Sequence, residues 1–312
     1  MKSILVITGA GASHDFRVKQ DGGEERPPLT KDLFNGGYSI EWQKNFLTRN
    51  HIASQVGYNF DNQPEVGRKQ LEKYLFDLKN NPNPDVHCQY WAVPIYLQEL
   101  FLAISTKYHS TGLGLPSNYK KLVEQISEFG GYDQVLWLNL NYDLLADYAI
   151  RIATDNDMND LSDYMKLTTK RGLQIKYTKP HGSVDWFLPT ENIGVSVGSA
   201  ISGKVTTSLA AKLPKTVITV RDKKYFYTIE SIMCIGFSAL DQDILKLIKE
   251  IPNIKEKLQN KTIVVNGKEE DSLGAYNLLL KANCGIAGAR GFFAGGFSDF
   301  VNGPIERWLQ AP

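Results

Sequence analysis

Five short apolar segments recur along this chain, and each ends in glycine, asparagine, histidine or serine. They are SILVITG (3–9), QVLWLNLN (134–141), QIKYTKPHG (174–182), IMCIGFS (232–238) and KTIVVNG (261–267). Apolar runs of this length are typical of strands that are buried on both faces of a parallel sheet. Because parallel strands need crossover connections, usually helices, this pattern restricts the chain to α/β folds.

Amphipathic segments with helical spacing follow two of these runs. Their apolar positions are Leu144, Leu145, Tyr148 and Ile152 in one segment, and Ile244, Leu245, Ile248 and Ile251 in the other. Alternation of strands with such helices is typical of doubly wound folds. We therefore predict a Rossmann-like, doubly wound and mostly parallel sheet, in which ligands bind at the carboxyl ends of the strands.

Residues 38–130 interrupt this alternation, because they are mostly helical in pattern. Leu97, Leu100 and Phe101 are among the positions that share one helical face there. We predict a single domain over 1–312, with a core formed by 1–37 and 131–312 and a helical insertion at 38–130. The segment QDGGEERPP (20–28) is expected to be a loop. Two runs, at 215–220 and 225–230, are expected to pair as an extra hairpin.

Composition excludes several classes of protein. Lys and Arg total 35 against 34 Asp and Glu, so no direct nucleic-acid binding is expected. No apolar stretch approaches the roughly 20 residues that cross a bilayer, so no membrane partner is expected. Cys88, Cys234 and Cys284 lie far apart, which argues against structural zinc and disulfides and favours a reduced, cytoplasmic protein. The histidines show no metal-ligand spacing with carboxylates, so we predict no metal site.

The turn after the first strand predicts an anion site. Gly9, Ala10, Gly11 and Ser13 are small enough for backbone N–H groups to approach a pyrophosphate. A tight turn without a ligand is the alternative. A dehydrogenase is disfavoured, because His14 stands where the third glycine of G-x-G-x-x-G belongs. The segment GSAISGKV (198–205) resembles a P-loop, but Val205 replaces the Ser or Thr that would ligate magnesium.

Four strand-end segments together are more specific than this turn. They are GAGAS (9–13), NYDLL (141–145), KPHGSVDW (179–186) and GFSALDQDI (236–244). In this order they resemble the sirtuin family, and more closely its bacterial branch of sirtuin-like NAD hydrolases of antiphage defence systems. The resemblance covers 1–35 and about 131–270. It implies a sirtuin-like NAD-binding core and the activity of an NAD glycohydrolase, with NAD as substrate and no other cofactor.

The resemblance also implies roles for individual residues. Asn141 would contact ribose hydroxyls or position a water molecule, Asp143 would hold that loop or the nicotinamide side, and His181 would be the general base. The phosphate turn would be formed by Gly9, Ala10, Gly11 and Ser13, and the phosphate and adenine ribose would be lined by Gly236, Ser238 and Asn266. The family's deacylases carry a four-cysteine zinc module, whereas this chain has three scattered cysteines, so zinc-supported deacylation is not expected.

The chemistry is consistent with these residue types. Loss of nicotinamide passes through an oxocarbenium-like ribose and expels a neutral leaving group, so the reaction needs little acid catalysis. It does need a group that accepts a proton at about pH 7, and the pKa of histidine suits this role. Two structural alternatives stay open: Asn141 caps a helix that begins at Tyr142, with Asp143 in its first turn, and His181 bonds to backbone. Two functional alternatives are a module that senses NAD or ADP-ribose without turnover, and a deacylase or ADP-ribosyltransferase.

The resemblance further implies partners and regulation. Unregulated loss of NAD would poison the host, so a defence effector of this kind would be silent until triggered. We expect a homo-oligomer, a separate activating or sensing protein, or both. The glycine- and phenylalanine-rich segment 285–300 is expected to pack in the core or at a subunit contact, with a flap over the adenine as the alternative.

Overall fold

The computed structural model describes residues 1–15, 18–20, 23–29, 32–34, 45, 47–62, 71–110, 117–158, 163–185, 187–189, 204–206, 226–252, 261–281 and 291–311. The strands are β1 (Ser3–Thr8), β2 (Val18–Gln20), β3 (Gly23–Glu25), β4 (Gln134–Asn139), β5 (Leu167–Thr168), β6 (Gln174–Thr178), β7 (Phe187–Pro189), β8 (Lys204–Thr206), β9 (Ile229–Ile235), β10 (Thr262–Val265) and β11 (Phe292–Phe293). The helices are α1 (Ala10–His14), α2 (His51–Asp61), α3 (Leu71–Lys79), α4 (Pro84–Ser110), α5 (Ser117–Phe129), α6 (Leu145–Thr154), α7 (Gln242–Lys249), α8 (Glu269–Lys281), α9 (Gly296–Val301) and α10 (Pro304–Gln310), with a 3₁₀ turn at Asp163–Met165.

The main sheet has seven strands in the order β11-β10-β9-β1-β4-β6-β5. All neighbours are parallel except the edge strand β5, which is antiparallel to β6. Counted along the chain, the six parallel strands lie in the order 3-2-1-4-5-6, which is that of the Rossmann fold. The predicted α/β class with a mostly parallel sheet is therefore confirmed.

Helices cover both faces of this sheet, so its central strands are buried on both sides. Ile4 and Val6 of β1 face a core that includes residues of α2 to α6, α9 and α10. Leu5 and Ile7 face the opposite core, which is closed by α7 and α8. All residues of β1, β4 and β10 are buried, as their apolar sequences predict.

In the described part of the chain, the connection from β1 to β4 contains helices α1 to α5 and the hairpin of β2 and β3. Leu97, Leu100, Phe101 and Ile104 of α4 are buried, in agreement with their predicted shared face. Helix α5 differs from the others because it packs on α6, α9 and α10 beside the sheet. It therefore acts as a crossover helix of the α/β core.

Two sequence predictions about loops are corrected. Gly23–Glu25, within the expected loop 20–28, forms β3 and pairs with β2 in a hairpin. The Asp-Gly pair at 21–22 is typical of hairpin connections and was the signal for it. Of the two runs expected to pair as an extra hairpin, the second is not a separate strand, because Ile229 and Glu230 begin β9 of the main sheet. Residues 215–220 lie outside the described residues.

Candidate functional site

The first part of the site is the turn after β1, which packs against the turn after β9. Gly9 donates its N–H to the carbonyl of Ile235 at 2.9 Å, and Gly11 donates to that of Gly236 at 3.1 Å. A Cβ atom on Gly9 would lie 2.5 Å from the oxygen of Gly236. Packing of the turn after β1 against the turn after β9, where the strand order reverses, therefore requires glycine at these positions whether or not a ligand binds. Their predicted contact with a phosphate stays a prediction.

Asn141 joins the end of β4 to this turn. Its Nδ2 donates to the hydroxyl oxygen of Ser13 at 2.9 Å and to that of Tyr119 at 3.2 Å, and the two hydroxyls are 2.9 Å apart. Ser13, Asn141 and Tyr119 are all buried. Asn141 is not the cap of α6, because that helix begins three residues after Tyr142, at Leu145. The structural alternative of a helix cap therefore does not apply to Asn141.

Asp143 lies on the same loop and is almost completely buried. Its Oδ1 accepts a hydrogen bond from the backbone N–H of Leu145 at 3.0 Å, so it holds the first turn of α6. Burial raises the pKa of Asp143, against the opposing effects of the Lys179 ammonium group and of hydrogen bonds from Leu145 and Ser13. Of the two roles that the resemblance implied, this geometry matches the one of holding the loop.

Lys179, which sequence reasoning did not single out, is completely buried beneath the two loops. Its Nζ donates to the carbonyl oxygen of Asp143 at 2.6 Å, to the hydroxyl of Ser183 at 2.8 Å and to Oδ2 of Asp147 at 3.0 Å. A buried ammonium group needs such a set of acceptors, because it has lost its hydration. Lys179 thereby fastens the loop that carries Asn141 to the loop that carries His181.

A buried chain of hydrogen bonds continues from this ion pair across the sheet. The Tyr177 hydroxyl donates to Asp147 at 2.9 Å and accepts from Nδ2 of Asn139 at 2.7 Å. Oδ1 of Asn139 accepts from the hydroxyl of Thr8 at 3.0 Å and from the backbone N–H of Asn141 at 3.2 Å. The network connects β1, β4, β6 and α6, so it fixes the backbone that supports Asn141.

His181 follows β6 and pairs with Asp241, which follows β9. Its Nε2 lies 2.9 Å from Oδ2 of Asp241, and both side chains are about one-fifth exposed. Asp241 is also the N-cap of α7, because its Oδ1 accepts from the N–H groups of Asp243 and Ile244. Asp241 was not among the predicted site residues, and its contact with His181 was missed. No sequence signal indicated that contact, which joins segments 60 residues apart.

The loops of Asn141 and His181 are neighbours at the carboxyl edge of the sheet. Val184 donates its N–H to the carbonyl of Tyr142 at 3.2 Å, and the rings of Tyr142 and His181 lie 6.4 Å apart. With the contacts described above, the ends of β1, β4, β6 and β9 form a continuous circuit of interactions. The structure thus brings together Ser13, Asn141 and Asp143 in one cluster, with His181 on the adjoining loop.

Three of the remaining predicted residues, Gly236, Ser238 and Asn266, follow β9 and β10 on the other side of β1. Gly236 has a φ angle of +60°, and Ser238 is exposed beside it. The Asn266 side chain donates to the carbonyl of Asp271 at 3.2 Å, so it contacts the first turn of α8. Ala10 begins α1 and is half-buried. These four residues are not part of the Asn141 cluster.

The described part of the C-terminal segment, 291–300, packs into the core. Phe297 is buried, and its ring meets that of Tyr119 edge to face at a centroid distance of 5.2 Å. The backbone N–H of Ser298 donates to Oδ2 of Asp15. The expected core packing is therefore confirmed for this part, which supports Tyr119 from behind.

Two alternative kinds of site can be compared with the geometry. A P-loop would place Lys204 at the start of a helix, but it lies in β8, paired with Pro189 of β7. Among the described residues, no three His, Cys, Asp or Glu side chains are grouped so that they could hold a metal ion.

None of the described helices is both long and apolar enough to cross a bilayer.

Comparison with known proteins does not assign the chain to a family. No protein-family model matches it, and a search of curated proteins found no match.

Proposed function

We propose that this chain is an NAD glycohydrolase of sirtuin-like architecture, which cleaves NAD to nicotinamide and ADP-ribose or a cyclic form of it. The observation that carries the proposal is the junction of the Asn141 and His181 loops at the carboxyl edge of a sheet with Rossmann strand order. Ligands of open α/β sheets bind at this edge, where the strand order reverses. The four segments of the resemblance all meet there.

The proposed reaction needs three things from these residues. The ribose must be held, a water molecule or ribose hydroxyl must be directed at its anomeric carbon, and a base must accept the proton. His181 accepts that proton while the bond between carbon and nicotinamide nitrogen breaks, and nicotinamide leaves as a neutral molecule with the bonding electrons. Asn141 positions the sugar or the water, and Asp143 holds the loop.

General-base catalysis contributes about a hundredfold to ten-thousandfold, so much of the remaining acceleration must come from positioning. The buried supports of Asn141 and of the His181 loop are suited to this requirement. Asn141 is held through Ser13 and Tyr119, and its backbone through Asn139. In this proposal, an oligomer or an activating partner protein controls the site, as the risk of unregulated NAD loss requires.

A second candidate function is a module that binds NAD or ADP-ribose without turnover. The observation in its favour is that Asn141 is only 5% exposed, and that its Nδ2 already donates to two protein hydroxyls. A sensor needs no base, so the two candidates differ in the importance of His181.

The decisive experiment measures NAD binding and nicotinamide release together. The purified protein is incubated with NAD over a range of protein concentrations, and cellular NAD is followed in expressing bacteria. Under the proposal, His181→Ala loses nicotinamide release but still binds NAD, whereas His51→Ala, at an exposed position in α2, behaves as the wild type. Binding with no turnover in any assay would favour the sensor, and absence of both would contradict the whole assignment.

A further inference from the structure

The carboxylate of Asp241 divides its two oxygens between two tasks. Oδ1 accepts from the N–H groups of Asp243 and Ile244 at 2.9 and 3.1 Å, which is the geometry of a helix N-cap. Oδ2 lies 2.9 Å from Nε2 of His181. Because the cap fixes the side chain on α7, the oxygen that faces His181 has a defined position.

We propose that Asp241 is the positioning residue of His181: it holds the imidazole with its Nε2–H toward the carboxylate and so makes Nδ1 the basic nitrogen. This inference rests on the proposed NAD hydrolysis. It adds a residue from the other side of β1 to the site, and it assigns the nitrogen that takes the proton.

The direction of the hydrogen bond follows from the charge of Asp241. Burial alone would raise the pKa of this carboxyl, but hydrogen bonds and charge from His181 and the N–H groups of α7 together lower it. An ionised carboxylate has no proton to donate, so Nε2 must be the donor. In the neutral imidazole the lone pair then lies on Nδ1.

The chemical step balances without another reactant. Nδ1 accepts a proton from water or a ribose hydroxyl, the oxygen forms a bond to the anomeric carbon, and nicotinamide leaves with the electrons of the broken bond. The imidazolium that results is stabilised by the Asp241 carboxylate at Nε2. A histidine with an oriented carboxylate partner is a recurrent arrangement for a general base.

The contact is not a consequence of sequence or strand proximity. β6 and β9 are separated in the sheet by β4 and β1, so their axes lie three strand spacings, roughly 14 Å, apart. The loop after each strand must reach over the carboxyl edge for His181 and Asp241 to meet. The pair therefore spans the strand ends at which the dinucleotide is proposed to bind.

Substitution of Asp241 can separate its two tasks. Asn is as good an N-cap as Asp, and in Asp241→Asn the amide oxygen is expected to keep the α7 cap, which turns the NH₂ group toward His181. That group donates to Nε2 and reverses the tautomer. Asp241→Ser also keeps a cap but is too short to reach the imidazole. The control is Asp243→Asn, which removes an acid from the same helical turn where it contacts Lys246.

Two measurements are made on each variant. Nitrogen-15 NMR of labelled histidine, assigned with His181→Gln and recorded at alkaline pH, reports which nitrogen carries the proton. Nicotinamide release gives kcat and KM. We expect Nε2–H in the wild type and Asp243→Asn, Nδ1–H in Asp241→Asn, and a fall in kcat of Asp241→Asn by about a hundredfold to ten-thousandfold with little change in KM.

The outcomes distinguish this inference from the proposed function. Nδ1–H in the wild type, or a kcat of Asp241→Asn equal to that of Asp243→Asn, would overturn the positioning role. If the wild type shows Nε2–H and Asp241→Asn reverses it, but the wild type releases no nicotinamide, the proposed function fails while the orientation of His181 by Asp241 stands.

Discussion

Asn141 donates a hydrogen bond from Nδ2 to the hydroxyl oxygen of Ser13 at 2.9 Å, although 128 residues separate them. This bond connects the turn after β1 with the turn after β4, at the edge where Rossmann-like sheets bind ligands. The side-chain amide of Asn141 therefore has two roles: it is proposed to position the sugar or a water molecule, and it connects the ends of two strands.

The first prediction separates these two functions. Asn141→Ala should lose turnover by about a hundredfold or more, because misplacement of a reacting group costs this much, and should lower the free energy of unfolding by about 1–3 kcal/mol. Tyr119→Phe removes a hydroxyl that contacts the same amide, and should cost about 1 kcal/mol while it retains most of the turnover. Urea unfolding and nicotinamide release measure both. Equal losses of activity in the two variants would show that Asn141 acts only through packing.

The glycines of the switch point give a prediction about stability. Gly236 has a φ of +60°, and a Cβ there would lie 2.0 Å from the backbone nitrogen of Ala12. Gly236→Ala should therefore destabilise the protein by about 3 kcal/mol or more, from backbone strain together with overpacking. Gly267→Ala is the matched control, because no atom of the described residues other than its chain neighbours lies within 4 Å of its Cβ position, and it should change stability by less than about 0.5 kcal/mol. Thermal unfolding of both variants tests the contrast.

The sheet could be predicted from the sequence because its information is local. The buried strands are continuous apolar runs, and the five predicted runs all contain strands of the sheet. The carboxyl-edge positions of Asn141 and His181 followed from the ends of those runs. Strand order did not follow, because β9 returns to the far side of β1 through contacts between residues more than 200 positions apart.

The contacts that support the site could not be predicted for a different reason. Lys179 sits next to Pro180 in a short polar stretch, and nothing in its neighbours indicates complete burial. Its environment is created by Asp147 and Ser183, whose side chains converge only in the folded chain. The pairing of His181 with Asp241 likewise depends on strand order, which sequence reasoning had not fixed.

Lys179 provides a prediction about buried charge. Lys179→Met would leave the Asp147 carboxylate buried without its cation, which typically costs 3–5 kcal/mol, so we expect a loss of about that size. Adding Asp147→Asn removes the uncompensated charge and should restore at least half of the lost stability. A double-mutant cycle by urea unfolding measures the coupling. Simple additivity of the two single changes would contradict the importance of this ion pair.

The exposed face of α8 offers a stabilising substitution. Gly274 is exposed in the interior of this helix, and, apart from the backbone of the helix itself and its chain neighbours, no atom of the described residues lies within 4 Å of its Cβ position. Gly274→Ala should raise the free energy of unfolding by about 0.5–1 kcal/mol, because alanine loses less backbone entropy in a helix. Unchanged turnover is expected, since α8 packs against β10 and β11, on the opposite side of β1 from the strands that carry the Asn141 and His181 loops. A lower melting temperature would contradict the expected helix effect.

The last prediction concerns pH and the buried carboxyl of Asp143. Burial raises the pKa of Asp143 in the folded protein, against the Lys179 ammonium and hydrogen bonds from Leu145 and Ser13. A carboxyl whose folded pKa lies above its unfolded value binds its proton more tightly when folded. Its ionisation therefore lowers stability as the pH rises from the unfolded pKa of about 3.9 through the folded value. Below the unfolded pKa this cost is absent.

Asp143→Asn cannot titrate, so its stability relative to the wild type should increase as the pH rises through this window. Urea unfolding of both proteins between acid and neutral pH measures the difference. Asp241→Asn is the matched comparison of opposite sign, because the folded pKa of Asp241 is lowered. The stability that Asp241 contributes is present above its unfolded pKa and is lost as the pH falls through the folded one, so this variant should lose relative stability as the pH rises. Parallel curves for Asp143→Asn and the wild type would mean that Asp143 has the same proton affinity in both states.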